Sequence, residues 1–181
     1  MVQGFISISL YLWLGIRKKI TIKNNMIIKV GDKAPDFTLH ASDTTKVSLS
    51  EYEGKKVILL FFPLAFTRVC TTELCTMRDD ITTYNNMNVS VLAVSVDSPF
   101  SLAKYKEEQK LNYPLLSDFN KTVSRSYGAL YEDFVLDLKG VSKRSAFVID
   151  EKSIIRYAEV LENALDLPNF AVIREILENQ S

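Results

Sequence analysis

Lys56-Val57-Ile58-Leu59-Leu60-Phe61-Phe62, stopped by Pro63, is the stretch on which the fold turns. A continuous apolar run rich in branched and aromatic residues has the pattern of a strand buried on both faces. Beyond it, from about Val69 to Asn85, Leu74, Met77, Ile81 and Tyr84 recur at three- and four-residue spacing, which predicts a helix. Val89 to Val96 reads as a second buried strand, Pro99 to Lys110 as a helix opened by Ser98 and Pro99, and Pro114 to Leu116 as a short strand. Upstream, Asp36 to His40 and Lys46 to Ser50 alternate around Ser42-Asp43 as a hairpin, after turn chemistry at Gly31-Asp32-Lys33-Ala34-Pro35. Downstream, Asp118 to Tyr127 suits a short helix, and Ala146 to Asp150 with Ile154 to Val160 an antiparallel pair around Glu151-Lys152. Pro168 to Glu178 suits a closing helix. Alternating buried strands and helices with a hairpin near each end predict an α/β fold: a central mixed sheet flanked by helices, with an N-terminal β-hairpin.

The bulk properties narrow the function classes. With 181 residues, 47% of them hydrophobic, the chain is long enough to bury one substantial core. Lys+Arg and Asp+Glu both number 22, so no field of excess positive charge draws in nucleic acid or anionic lipid. Two cysteines five positions apart are no disulfide scaffold; they point to a redox-active or metal-binding pair in a reducing compartment, hence a cytoplasmic protein. His40 is the single histidine and falls at a strand end, so a Cys-His nucleophile pair or a zinc site lacks partners, and no metal or other cofactor is expected.

Gly4 to Ile16 form an apolar run of 13 residues followed by Arg17-Lys18-Lys19. A membrane span needs about 20 such residues, and a secretory signal carries its positive charge before the apolar stretch. Three readings stay open: a packing segment, a weak membrane-associating segment, or an extension ahead of a functional start at Met26. The chain is divided accordingly into an extension, residues 1–25, and a domain, residues 26–181.

Chemistry concentrates where the buried strand ends. Pro63 to Arg68 form a short loop, and Cys70 falls in the first turn of the following helix. Free backbone N–H groups, including that of Val69, and the positive end of the helix dipole favour a thiolate there without any imidazole. Cys75 lies five residues on. In an ideal helix, Cα atoms five apart are separated by roughly 8.6 Å, beyond the ~7 Å limit of an unstrained disulfide. The two sulfurs join only if the first helical turns unwind. Otherwise Cys75 is an inert core cysteine.

Pro63, Thr67 and Cys70 fit a Pro-x-x-x-Thr-x-x-Cys pattern, and here the chain resembles the peroxiredoxins. Phe61-Phe62-Pro63-Leu64-Ala65-Phe66-Thr67 is similar to the one-cysteine alkyl hydroperoxide reductase E group. Cys70-Thr71-Thr72-Glu73-Leu74-Cys75 is similar instead to the Q-type, or bacterioferritin comigratory, group, whose resolving cysteine lies five residues on. Val30 to Phe37 and Gly140 to Asp150 extend the resemblance to roughly residues 28–180. It implies a thioredoxin-like fold and a set of roles. Cys70 becomes the peroxidatic cysteine and Cys75 the resolving one. Thr67 hydrogen-bonds the sulfur and the peroxide, Pro63 shields the sulfur, and Arg144 holds the thiolate and polarises the peroxide. Glu73 matches a family glutamate that orients Arg144, or is simply a first-turn carboxylate favoured by the helix dipole. Arg68 and Lys143 match nothing and read as solvent-facing.

The implied activity is a thiol-dependent peroxidase acting on hydrogen peroxide and organic hydroperoxides. A thioredoxin or similar dithiol protein is the implied reductant, and a monomer or homodimer the implied assembly. A one-cysteine peroxidase, a thioredoxin-like disulfide reductase and a non-catalytic interaction domain are the alternatives. The reductase normally needs its cysteines two apart, and the Pro63, Thr67, Cys70 and Arg144 set argues against the last.

Overall fold

The computed structural model describes residues 28–179; the extension over residues 1–25 lies outside them. Strand β3 (Lys56–Phe61) is buried along its whole length. It runs parallel to β4 (Val89–Ser95) and antiparallel to β8 (Ser145–Ile149). With β1 (Thr38–Ala41), β2 (Lys46–Ser48), β5 (Leu115–Ser117) and β9 (Ile155–Val160) these form one mixed sheet in the order β2-β1-β5-β4-β3-β8-β9.

The period-2 alternation of a strand divides the core in two. Ile58, Leu60 and Phe62 face Leu74, Met77 and Tyr84 of α1 (Arg68–Asn86), Leu102 and Tyr105 of α2 (Pro99–Gln109), and Ile173 and Leu177 of α4 (Phe170–Glu178). Val57, Leu59 and Phe61 face the other way, toward Val123 of α3 (Thr122–Ser126), Tyr127, Phe147 and the N-terminal hairpin. Each face of the central strand thus feeds its own apolar layer, which is why its sequence shows no polar alternation. Among the described residues no helix is long and apolar enough to cross a membrane.

The structure differs from the sequence reading at several points. Strand β2 ends at Ser48, because Leu49–Tyr52 wind into a 3-10 turn in which Glu51 accepts the Ser48 N–H. Helix α3 starts at Thr122 and not at Asp118: the Asp118 carboxylate accepts the N–H groups of Thr122, Val123 and Ser124 from outside the helix. A second, two-stranded sheet, β6 (Leu130–Asp133) and β7 (Lys139–Ser142), has no counterpart in that reading. Its first strand, Leu-Tyr-Glu-Asp, is half-buried to exposed and carries neither alternation nor a buried run.

Candidate active site

The loop joining β3 to α1 carries the site, and neighbouring strands fix it. Phe62 N–H donates to the Val94 carbonyl at 3.0 Å, extending the parallel pairing to the edge of the loop. Pro63 is buried. Ala65 N–H donates to the Asp97 carboxylate at 2.8 Å, and the Ser95 hydroxyl donates to the same oxygen at 2.9 Å. Phe66 takes a left-handed φ of 65° and packs its ring on Tyr105, centroids 4.9 Å apart. Thr67 returns to extended backbone, and its carbonyl accepts the first intrahelical bond from Thr71 N–H at 2.9 Å. The N–H groups of Val69 and Cys70 precede that bond and are not used by the helix ladder.

Cys70 is thereby the third residue of α1, 1% exposed. Arg144 reaches it from the two-residue link between β7 and β8, with Nη2 donating to Cys70 Sγ at 3.4 Å. The same guanidinium donates to the Ala164 carbonyl from Nη2 at 2.9 Å and from Nε at 3.3 Å, and Nη1 pairs with Glu73 Oε2. One planar fork therefore bridges a sulfur, a carboxylate and a backbone carbonyl, a task suited to arginine because its donors are fixed relative to one another. Burial works against the charge on Arg144, but Glu73 and then Cys70 outweigh it and hold the guanidinium above its ordinary range. Glu73 behaves differently. It has no exposed surface, and burial pushes its carboxyl up to about 8 despite the opposing pull of Arg144. Its second oxygen, Oε1, is buried with no hydrogen-bond partner.

Thr67 is exposed, and its hydroxyl donates to the Leu64 carbonyl at 2.9 Å. The hydroxyl hydrogen thus serves a carbonyl of the tight loop instead of the sulfur, leaving the oxygen lone pairs to accept. Thr71, one residue past Cys70, bonds the Tyr105 hydroxyl at 2.9 Å, so α2 braces the first turn of α1. Burial raises Tyr105 to about 12, and the neighbouring Cys70 acts in the same direction.

Cys75 lies on the same unbroken helix, half-buried against the core, and both cysteines are free thiols. Arg78 Nη1 donates to its Sγ at 3.4 Å and to the Gln109 carbonyl at 2.7 Å, which ties this part of α1 to the end of α2. Arg68 is exposed at the mouth of the site. Lys143 is not solvent-facing: its side chain is 17% exposed, because Nζ pairs with Glu162 at 2.6 Å and sits 5.4 Å from the Tyr131 ring centre. His40 is exposed on β1, with Nδ1 3.0 Å from the Thr44 carbonyl. Among the described residues no group of three or more metal-binding side chains occurs.

Sequence reasoning missed Asp97, Tyr105 and the Ala164 carbonyl. Asp97 had a usable signal: it directly follows the second parallel strand, at the carboxyl edge where α/β sheets place functional groups. Tyr105 looks like any helix-core aromatic, and a backbone acceptor in a loop carries no side-chain signature. Ala164 also lines a cleft of about 310 Å³ that has Cys70 and Arg144 among its lining residues and the β6–β7 turn as one wall.

Comparison with known proteins agrees with this geometry. The 2-Cys peroxiredoxin BAS1 of Spinacia oleracea chloroplasts is 43% identical over 142 residues, covering 72% of this chain and 52% of that protein. The chain thus spans about half the length of that relative. Alkyl hydroperoxide reductase E of Mycobacterium bovis is 39% identical over 137 residues, covering 74% of this chain and 86% of that one. The crystal structure of peroxidoxin BcpB from Mycobacterium tuberculosis superposes with a TM-score of 0.72 at 31% identity, covering 83% of this chain and 95% of that one. The sheet with its flanking helices is the peroxiredoxin form of the thioredoxin-like fold. Residues 30–158, which hold the loop, the helix start and Arg144, match the AhpC/TSA family, and the chain belongs to that family.

Proposed function

We propose that the chain is a thiol-dependent peroxidase in which Cys70 attacks the peroxide. The single observation that carries this reading is the fork of Arg144, which holds Cys70 Sγ and Glu73 together at the floor of an open cleft. In the reaction the Cys70 thiolate attacks one peroxide oxygen and the O–O bond breaks. A sulfenic acid forms on Cys70, and the departing alkoxide or hydroxide takes up a proton as alcohol or water. Two electrons leave sulfur and enter the O–O bond, so the step balances with thiol and peroxide alone. Negative charge moves from sulfur to the leaving oxygen, and the donors aimed there, Arg144 and the Val69 and Cys70 N–H groups, interact with it throughout. Thr67 Oγ, its hydrogen given to Leu64, accepts the hydrogen of an incoming hydroperoxide, and Pro63 closes the cleft over the sulfur.

For the return half of the cycle, Cys75 attacks the sulfenic acid and releases water, and an external dithiol protein of the thioredoxin type reduces the disulfide. This requires the start of α1 to unwind. A second reading has its own support: the intact helix and the core contacts of Cys75 suit a one-cysteine enzyme whose sulfenate is reduced by an external thiol. Peroxide consumption with thioredoxin and its reductase separates the two. Cys70→Ser is expected to abolish turnover. Cys75→Ser is expected to keep the first oxidation and to lose sustained turnover; full turnover in that variant removes the resolving role. Oxidation of Cys70 no faster than that of free cysteine removes the peroxidase reading. The chemistry suits a reducing compartment such as the cytoplasm, with the protein acting as monomer or homodimer.

A further inference from the structure

Arg144 sits on the link between β7 and β8, and the backbone of that link is tied on both sides. Lys143 N–H donates to the Ala129 carbonyl at 2.9 Å, and the Arg144 carbonyl accepts Leu161 N–H at 2.9 Å. Leu161 opens the connection from β9 to α4. Three residues later the Ala164 carbonyl turns back to accept Nη2 and Nε of the guanidinium. A short strap, residues 161–164, thus grips the arginine at its backbone and again at the tip of its side chain.

This strap and the residues after it have little apolar packing to set their shape: Leu165 is 71% exposed, Leu167 41% and the Glu162 side chain 80%. Polar contacts set it instead. The Tyr131 hydroxyl donates to the Glu162 carbonyl at 2.9 Å, with the Leu161 carbonyl at 3.3 Å sharing the hydrogen. Lys143 Nζ pairs with the Glu162 carboxylate at 2.6 Å while lying over the Tyr131 ring, so phenol and ammonium hold the same strap residue. Tyr131 belongs to β6, and its partner strand β7 runs directly into Lys143 and Arg144. The small two-stranded sheet therefore holds both the base of the arginine and the strap on which its tip rests. Arg144 is 1% exposed, so a shift of the Ala164 carbonyl strands buried N–H donors, and swinging the guanidinium to satisfy them draws Nη2 away from Cys70 Sγ.

Building on the peroxidase reading above, we infer that Tyr131 is a positioning residue for the oxidation of Cys70. With Lys143 it clasps residues 161–164, and the Ala164 carbonyl so fixed sets the guanidinium against the sulfur. Neither side chain takes part in breaking the O–O bond; both act through Arg144.

Tyr131→Phe keeps the ring under Lys143 and against Phe134 and deletes only the hydroxyl. In the full chain, stopped-flow oxidation of Cys70 by hydrogen peroxide is expected to slow about tenfold in that variant. In an Arg144→Lys background, where a single ammonium replaces the fork, the same change is expected to cost less than about twofold. Lys143→Met keeps an unbranched stem over Tyr131 and removes the charge, and is expected to slow oxidation about two- to threefold. A readout independent of turnover follows Arg144 itself. Its Nε–H, seen by nitrogen-15 NMR of the reduced protein, is expected to exchange with water about tenfold faster in Tyr131→Phe. Equal slowing in both backgrounds, or unchanged Nε–H exchange in Tyr131→Phe, overturns the inference. If the wild type oxidises no faster than free cysteine while Nε–H exchange still depends on Tyr131, the clasp on Arg144 stands and it is the peroxidase reading that fails.

Discussion

Replacing Glu73 by Gln tests how the buried fork is charged. The Glu73 carboxyl has no exposed surface and is raised from its ordinary 4.5 to about 8 by burial. A carboxyl raised on folding holds its proton in the folded chain after the unfolded chain has released it. Its contribution to stability is therefore complete below about pH 4.5 and is lost as pH climbs through about 8. At 1.36 kcal/mol per pH unit, the full loss is on the order of 4–5 kcal/mol. Glutamine is close to isosteric with the protonated acid and does not titrate. Near pH 5 the variant is expected to match the wild type within about 1.5 kcal/mol. By pH 9 it should be more stable than the wild type by several kcal/mol. Urea unfolding of the reduced protein at pH 5, 7 and 9, followed by far-ultraviolet circular dichroism, reads both differences. If Glu73→Gln is instead the less stable by about 3–5 kcal/mol at pH 9, the carboxylate serves as the indispensable charged partner of Arg144, and the reasoning fails.

Further consequences follow from the same contacts. Arg144→Lys keeps the charge but loses the fork that spans Cys70, Glu73 and Ala164, and Cys70 oxidation by peroxide in stopped flow should slow by about 10²–10³-fold. Asp97→Ala strips the acceptor from Ala65 N–H and the Ser95 hydroxyl; unfolding should show a loss of about 1–3 kcal/mol, with a slower first oxidation because the Pro63–Thr67 loop loses its anchor. Tyr105→Phe removes one hydrogen bond to Thr71 at the first turn of α1, and its cost in urea unfolding should stay at about 0.5–1.5 kcal/mol.

The sequence was most legible where a residue's role is local. The run Lys56 to Phe62 announces its own burial, and the spacing of Leu74, Met77 and Tyr84 announces the face that α1 turns to the sheet, so the central layers could be read in advance. Cys70 was legible for the same reason, since a strand end feeding a helix start is a local pattern. The partners that converge on it come from far along the chain. Arg144 lies 74 residues away, and only the family motif, not its spacing or polarity, marks it. Tyr105 belongs to a helix predicted correctly and Asp97 follows a strand predicted correctly, yet which neighbours they touch depends on strand order, which periodicity does not encode. Thr67 shows the limit at short range: its place at the helix start follows from sequence, but the choice of Leu64 as hydrogen-bond acceptor depends on loop dihedrals.

The proposed resolving step demands most from the fold, because the segment between the cysteines is among its best packed. Glu73 and Leu74 have no exposed surface, the Tyr113 hydroxyl donates to the Leu74 carbonyl at 2.8 Å, and Thr71 is tied to Tyr105. Exposing Leu74 costs about 1.5–3 kcal/mol and each hydrogen bond about 0.5–1.5 kcal/mol, so opening costs several kcal/mol and the open form of the reduced protein is rare. Leu74→Ala isolates the burial part of the barrier. It should lower the stability of the reduced protein by about 2–5 kcal/mol. With less apolar surface to expose, closure of the disulfide should accelerate roughly 5- to 30-fold, while the first oxidation, which occurs with the helix intact, changes little. Rapid quench with thiol trapping and mass spectrometry separates the two steps. A disulfide that forms no faster in Leu74→Ala shows that opening of α1 does not limit closure.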